Sequence, residues 1–213
     1  MPSSTEDPDC RFEIVGPSRH AAVCRLIART FSADEPLAVT VGQSRDEFTA
    51  MLDIFLPAAL PLGLTMGALR GAHLVGIALT TAYDFVPPPG IEDASPSYPP
   101  IGALIAELEQ DYERDNAARL GTCAHIHMLA VDADARGAEI ARNLVAATVR
   151  NARAKGFDAV LSDATHPTSQ RVFSRQGFAT VGAVRYEDFR HDGAAPFASL
   201  ATLGAIQLME KRA

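Results

Sequence analysis

Leu129-Ala-Val-Asp-Ala-Asp-Ala-Arg-Gly-Ala-Glu-Ile-Ala-Arg-Asn-Leu144 decides how this chain folds. An apolar strand enters a short turn, and the turn enters an amphipathic helix expected to begin near Arg136. A helix start leaves backbone N–H groups without partners and carries the positive end of the helix dipole. Such a place suits a phosphate or pyrophosphate. The pattern therefore predicts a phosphorylated carrier.

Downstream, the helix is expected over Gly137–Lys155, burying Ile140, Ala141, Leu144, Val145 and Thr148 before Gly156 stops it. Ala159–Ser162 reads as a strand, and Pro167 opens a helix to Arg175. A strand follows Gly177-Phe178 as far as Tyr186, and Leu203–Met209 reads as a last one. Upstream, Thr122–Val131 is the strand that feeds the helix.

Nearer the N-terminus, Phe12–Val15 reads as a strand, and Ser18 caps a helix that should end near Phe31. A loop, Ser32–Leu37, follows. Ser44-Arg-Asp-Glu47 is a capping box for a helix presenting Phe48, Met51, Leu52 and Phe55 and stopping before Pro57. Leu64–Leu69 and His73–Ala82 form a hairpin about Gly71. A Pro-rich loop and a helix over Ile101–Asp115 make an insertion at about 84–120. Hairpins alternate with crossover helices, which implies an α/β (α+β) fold: a mixed sheet with helices on both faces.

The 213 residues suit a single domain, with an unstructured start over 1–10. A net charge of −7 argues against a nucleic-acid partner. Three scattered cysteines, Cys10, Cys24 and Cys123, imply no disulfide framework and no zinc site. The polar opening is no signal peptide, and no apolar run would span a bilayer, so the expected location is the cytoplasm, away from membranes. Monomer and homodimer both stay open.

Val131-Asp-x-x-x-Arg136-Gly137-x-x-Ile140-Ala141-x-x-Leu144 resembles motif A of the GNAT superfamily of acetyl-CoA-dependent N-acetyltransferases. Ser169-Gln-Arg-Val-Phe173-Ser-Arg175-Gln-Gly177-Phe178 resembles motif B. Asp34-Glu35-Pro36-Leu37 is similar to a loop of the insect dopamine and arylalkylamine N-acetyltransferases, and Tyr186–Gly193 with Phe197 is similar to their tail. His125-Ile-His127 resembles the paired-histidine strand of the vertebrate serotonin N-acetyltransferases. The resemblance implies a GNAT fold and acetyl transfer from acetyl-CoA, by direct attack in a ternary complex, to a small primary amine of the arylalkylamine kind, with no metal.

It also implies a distribution of roles. The backbone of Leu129, Ala130 and Val131 would hold the pantetheine arm, and Arg136, Gly137, Ala138, Glu139, Ile140, Ala141 and Arg142 would form the diphosphate cradle. Glu139 stands where the family has Gly. Its side chain turns outward, weakens the binding, or marks a lost carrier. Phe173, near the thiol end, replaces the family's Tyr and has no proton to give. Ser169 is then the expected acid for the departing thiolate; its other reading is a helix hydroxyl bonded one turn back.

His125 and His127 lie two apart on a strand and so share a face. They are either a proton relay or a hydrogen-bonded pair beside an apolar core. Glu35 is either an exposed loop carboxylate or, as the resemblance implies, the general base. Asp34 reads as a loop or cap residue. Phe31, Leu37, Tyr83 and Phe85 are candidates for an apolar acceptor site. The rivals are another acceptor (an aminoglycoside, a polyamine or a protein amine) and a non-catalytic CoA-binding sensor.

Overall fold

The computed structural model describes residues 10–136 and 139–212. Gly137 and Ala138 of the expected cradle lie outside the described residues, as does the expected unstructured start except Cys10. Cys10 instead begins a strand. The elements are β1 (Cys10–Ile14), α1 (His20–Asp34), α2 (Pro36–Val41), α3 (Arg45–Ala59), β2 (Met66–Arg70), β3 (His73–Ala82), α4 (Ile91–Ala94) and α5 (Pro99–Asn116). Then come β4 (Cys123–Val131), α6 (Ile140–Ala154), β5 (Ala159–Ala164), α7 (Pro167–Arg175), β6 (Ala179–Arg185) and β7 (Ala205–Arg212).

All seven strands join one sheet in the order β1-β2-β3-β4-β5-β7-β6. Only β4 and β5 run parallel; every other pair is antiparallel. The mixed sheet expected from the sequence is therefore present. Helices cover both faces. α1 and α3 pack on Ile77, Leu79 and Ala130. α6 and α7 pack on the other face, against Ala78, Ala124 and Ile126. The insertion helix α5 returns to the first face, where Leu104 and Leu108 meet Leu161, Ile206 and Leu208. Tyr186, Phe189 and Phe197 of the tail complete that core.

One glycine sets how closely α6 approaches. A Cβ at Gly76 would lie 2.9 Å from Ile140 and 2.9 Å from Leu144. The helix whose N-terminus faces the expected carrier is thus seated directly on the β3 backbone. Among the described residues no helix is long and apolar enough to cross a membrane.

Several boundaries differ from expectation. α1 runs on to Asp34, and the expected loop holds α2 instead. Pro36 sits at the first position of α2, and the Glu35 side chain caps it by accepting from Ala38 N. α3 continues through Pro57, which lies in its last turn with its ring exposed, so the missing N–H costs little there. The α6 helix starts at Ile140, later than Arg136 or Gly137, because Glu139 adopts φ 55° and breaks the helical run.

Candidate functional site

β4 and β5 part company midway. Their pairing covers Cys123↔Ala159 to Ile126↔Ser162. Ser162 Oγ, donating to Ile126 O at 2.9 Å, is the last link between them. β5 pairs with β7 along its whole other edge; beyond Ser162 it has that partner alone, and Leu129, Ala130 and Val131 pair with β3 alone, among the described residues. One edge of β4 is left with unused N–H and C=O groups. An extended arm could add there as a strand does, which fits the expected place of a pantetheine chain.

The gap begins at a bulge. β3 and β4 shift register between Leu79↔Met128 and Thr80↔Ile126, so His127 is the extra residue. His125 and His127 share a face, as expected, with ring centroids 4.5 Å apart. His127 Nε2 lies 2.7 Å from Thr81 Oγ1. Its ring meets Phe55 edge-on at 5.4 Å, and Phe55 meets Phe85 at 5.5 Å. Phe31 packs on Phe48 nearby in the same core. The acceptor-side wall around His127 is therefore aromatic. Of the expected lining residues, Phe85 reaches this wall through Phe55; Leu37 is buried in the α5 core, and Tyr83 packs tilted against His125 with ring centroids 5.3 Å apart.

His125 sits deeper, in a charged cluster that sequence reading did not find. Its Nε2 lies 3.0 Å from Asp163 Oδ2 and 3.9 Å from Glu109 Oε1. The 3.0 Å contact is an ion pair without hydrogen-bond alignment, since His125 Nε2 and Asp163 Oδ1 are both buried with no aligned partner. Donor atoms of Glu109, His125 and Asp163 lie within 4.8 Å of one another, a spacing that a divalent cation could use. Burial opposes charge on His125, but Asp163 and Glu109 outweigh it, and its pKa rises. Burial and the neighbouring His125 charge push His127 well below the ordinary histidine range. The two imidazoles are thus pushed in opposite directions, the inner one up and the outer one down. Burial, reinforced by Asp163, lifts Glu109 to about 7.

Glu35 approaches the gap from the β5 side. Its Oε2 is spent on Ala38 N at 2.7 Å. Its Oε1 is buried without an aligned partner, next to the Thr165 side chain that follows β5. Burial raises its pKa. The expected exposed-loop alternative does not describe this carboxylate. Among the described residues no hydrogen bond or ion pair joins Glu35 to either histidine; they flank the gap from opposite sides.

At the mouth of the gap the expected cradle is guarded by acids. Arg136 pairs with Asp34, and Arg142 pairs with Glu139. Asp34 is therefore an ion-pair partner rather than a cap. Glu139 is the N-cap of α6 in a left-handed conformation, as a family Gly would be, and its carboxylate lies along the first turn beside Arg142. Ile140 is buried under the helix, and Ala141 follows on its first turn.

Two expected residues are placed away from ligand duties. Ser169 Oγ donates to His166 O at 2.8 Å and accepts from His166 N at 3.4 Å. That is the one-turn-back bond of its alternative reading. Phe173 is 1% exposed and packs on Phe178 at 5.1 Å, inside the α6–α7 core. Missing the Glu109–Asp163 cluster has identifiable causes. β5 continues two residues past its expected end, and alternation then puts Asp163 on the face of Ala159 and Leu161. Glu109 lies four residues after Ile105 and three before Tyr112, a spacing that turns it inward among the exposed acids Glu107, Asp111 and Glu113.

Residues 104–190 match the family model described as an acetyltransferase (GNAT) domain. Among solved structures, the chain is similar to arylalkylamine N-acetyltransferase 2 from Aedes aegypti, at 24% identity and a TM-score of 0.77, covering 96% of this chain and 99% of that one. It is similar to the C-terminal condensation domain of Ebony, solved with β-alanyl-dopamine, at 17% identity and a TM-score of 0.85, covering 96% and 99%. It is also similar to a Drosophila melanogaster polyamine N-acetyltransferase that forms N-acetylagmatine, at 17% identity and a TM-score of 0.69, covering 96% and 100%. The chain has the GNAT fold, and the expected resemblance to the arylalkylamine branch holds. The domain match and the fold together support an acyl-CoA-dependent N-acetyltransferase.

Proposed function

We propose that this GNAT-fold chain moves an acetyl group from acetyl-CoA to a small primary amine with an aromatic or apolar body. The observation that carries the reading is the gap between β4 and β5, with an open strand edge on one side and an aromatic wall around a neutral imidazole on the other. Leu129–Val131 would hold the pantetheine arm by their backbones. Arg136 and Arg142 would meet the diphosphate once their carboxylate partners yield. The bound thioester supplies an activated acetyl carbonyl to an amine aligned within the gap.

An alkylammonium must lose a proton before it can attack. Two basic groups flank the gap: Glu35, through its unpartnered Oε1, and His127, whose pKa burial and the neighbouring His125 push down. We assign Glu35 to attracting and deprotonating the ammonium, and the histidine pair to carrying the proton away. Ser169 is not carried into this scheme, because its hydroxyl is bonded both ways to His166.

A polycationic acceptor would want a strongly acidic groove. Of the insertion's acids, Glu92, Asp93, Glu107, Asp111 and Glu113 face solvent, and the single inward one, Glu109, is engaged with His125, so the aromatic acceptor is favoured. The test is thiol release from acetyl-CoA with tryptamine, tyramine, agmatine, an aminoglycoside and a lysine peptide. Turnover led by the aromatic amines is expected. CoA binding without turnover on any amine would favour a sensor, and no CoA binding at millimolar ligand would overturn the assignment.

A further inference from the structure

Resting on that acetyl-transfer reading, we propose that Glu109 is the outlet through which the histidine pair discharges the acceptor's proton, with Asp163 holding His125 in place between them. The amine has one route inward from the aromatic wall, through half-buried His127. The His125 ring follows at a centroid distance of 4.5 Å. Among the described residues, two carboxylates stand behind His125, Asp163 at 3.0 Å and Glu109 at 3.9 Å. Side-chain exposure rises outward along this line, from 6% at His125 and 9% at Asp163 to 16% at Glu109. Glu109 is the member nearest water.

The proton count closes without any other reactant. Glu35 takes one proton from the ammonium and passes it through water in the gap to His127. In its protonated form His125 gives a proton to the Glu109 carboxylate, and the proton on His127 refills His125. Glu109 then releases its proton to solvent. Only N–H and O–H bonds are made and broken.

Asp163 is poorly suited to this exit, being the closer ion-pair partner and the more buried. Glu109 takes and gives a proton near neutral pH because burial and the Asp163 charge lift its pKa to about 7. The groups facing it are His125 from β4, Asp163 from β5, Tyr83 after β3, and Glu113 and Tyr98 along its own helix region; Arg185, the titratable side chain of β6, is paired with Glu187 and Asp188. Arg119, beside β7, is spent on Glu210 at 2.5 Å and offers Glu109 no counter-ion. α2 carries no titratable side chain.

Glu109 and Asp163 act through His125, so both are positioning residues, and pH profiles test them. The experiment uses the full chain with acetyl-CoA and the best amine, from pH 5.5 to 9.5. In the wild type the outlet must be ionised to accept, so kcat should rise through about pH 7. In Glu109→Gln that limb should vanish and kcat at pH 8 should fall about tenfold, with KM for acetyl-CoA unchanged. Glu109→Asp should restore part of the limb. Asp163→Asn should move the limb rather than erase it. Glu107→Gln, on the solvent side of the same helix, should match the wild type. Thermal melts of each variant report folding independently. A wild-type limb that persists in folded Glu109→Gln overturns the outlet. So does activity that disappears with a chelator and returns with Zn²⁺ or Mn²⁺, because the three donors would then hold a cation. Absence of wild-type turnover would instead strike the acetyl-transfer reading.

Discussion

Replacing Glu139 should loosen the guard on the diphosphate cradle, and two variants separate the causes. Glu139 holds φ 55°, a conformation that costs a residue with a Cβ about 1 kcal/mol and costs glycine almost nothing. Its carboxylate also gains from the helix dipole, about 0.3–1 kcal/mol, and from the i,i+3 pair with Arg142. Both partners are about a third exposed (36% and 34%), so that pair is worth only about 0.3–0.5 kcal/mol. Glu139→Gly loses the two electrostatic gains and recovers the strain, so its stability should stay within about 0.5 kcal/mol of wild type. Glu139→Ala suffers the same losses and keeps the strain. The variants should therefore differ by about 1 kcal/mol, or roughly 2–4 °C in Tm for a chain of this size.

Their effect on ligand should be the same. Each removes a negative charge from the helix start and frees the Arg142 guanidinium. At about 0.3–1 kcal/mol for such charges, CoA should bind about twofold to fivefold tighter in both variants. Calorimetric titration with CoA at two salt concentrations measures it, and the gain should shrink at high salt. If both variants bind CoA as wild type does, or more weakly, the carboxylate does not compete for the cradle. If Glu139→Ala melts with Glu139→Gly, the backbone at 139 is not strained.

Glu35→Gln should lower kcat by about 10²–10⁴ across the pH range, measured by thiol release. Because burial raises the Glu35 pKa, the folded wild type holds this proton more tightly than the unfolded chain does. Its stability therefore falls as pH climbs from the ordinary carboxylate range through the folded pKa, and Glu35→Gln should remove that decline in denaturant titrations. Ser169→Ala should cost about 0.5–1 kcal/mol through the lost His166 bonds and leave kcat within about threefold; a hundredfold loss would return the acid role to Ser169. Gly76→Ala should force α6 off the sheet, cost about 1–3 kcal/mol and weaken CoA binding, read by melts and calorimetry; unchanged CoA affinity would mean the α6 start tolerates the shift.

The sequence exposed the parts of this molecule that repeat with a local period. β3 was read from end to end, and α6 and α7 within a turn, because strand alternation and helical spacing are written in neighbouring residues. α2 escaped because a six-residue helix holds too few turns to show a period, and its signal is a proline preceded by a capping acid. Both histidines could be placed on one face, but not the bulge at His127 that opens the strand pair, since register shifts depend on a partner strand. The same holds for Glu139. Sequence showed a carboxylate where the family has Gly, and only the fold showed its left-handed backbone and its pairing with Arg142.

The charged cluster makes the general point most sharply. Asp163, Glu109 and His125 come from β5, an insertion helix and β4, and nothing in their sequence spacing links them. What joins them is geometry of the second order. Parallel register sets Leu161 opposite His125, alternation then turns Asp163 to the same face, and the helical phase fixed by Leu104, Leu108 and Tyr112 rolls Glu109 inward above it. The insertion therefore does more than cover one end of the sheet. It adds a second carboxylate to Asp163, the stronger of the two influences that raise the His125 pKa against its burial. The outer histidine is held low first by its own burial and then by its inner neighbour, so the neutral base in the gap follows from how deeply β4 sits beneath these helices.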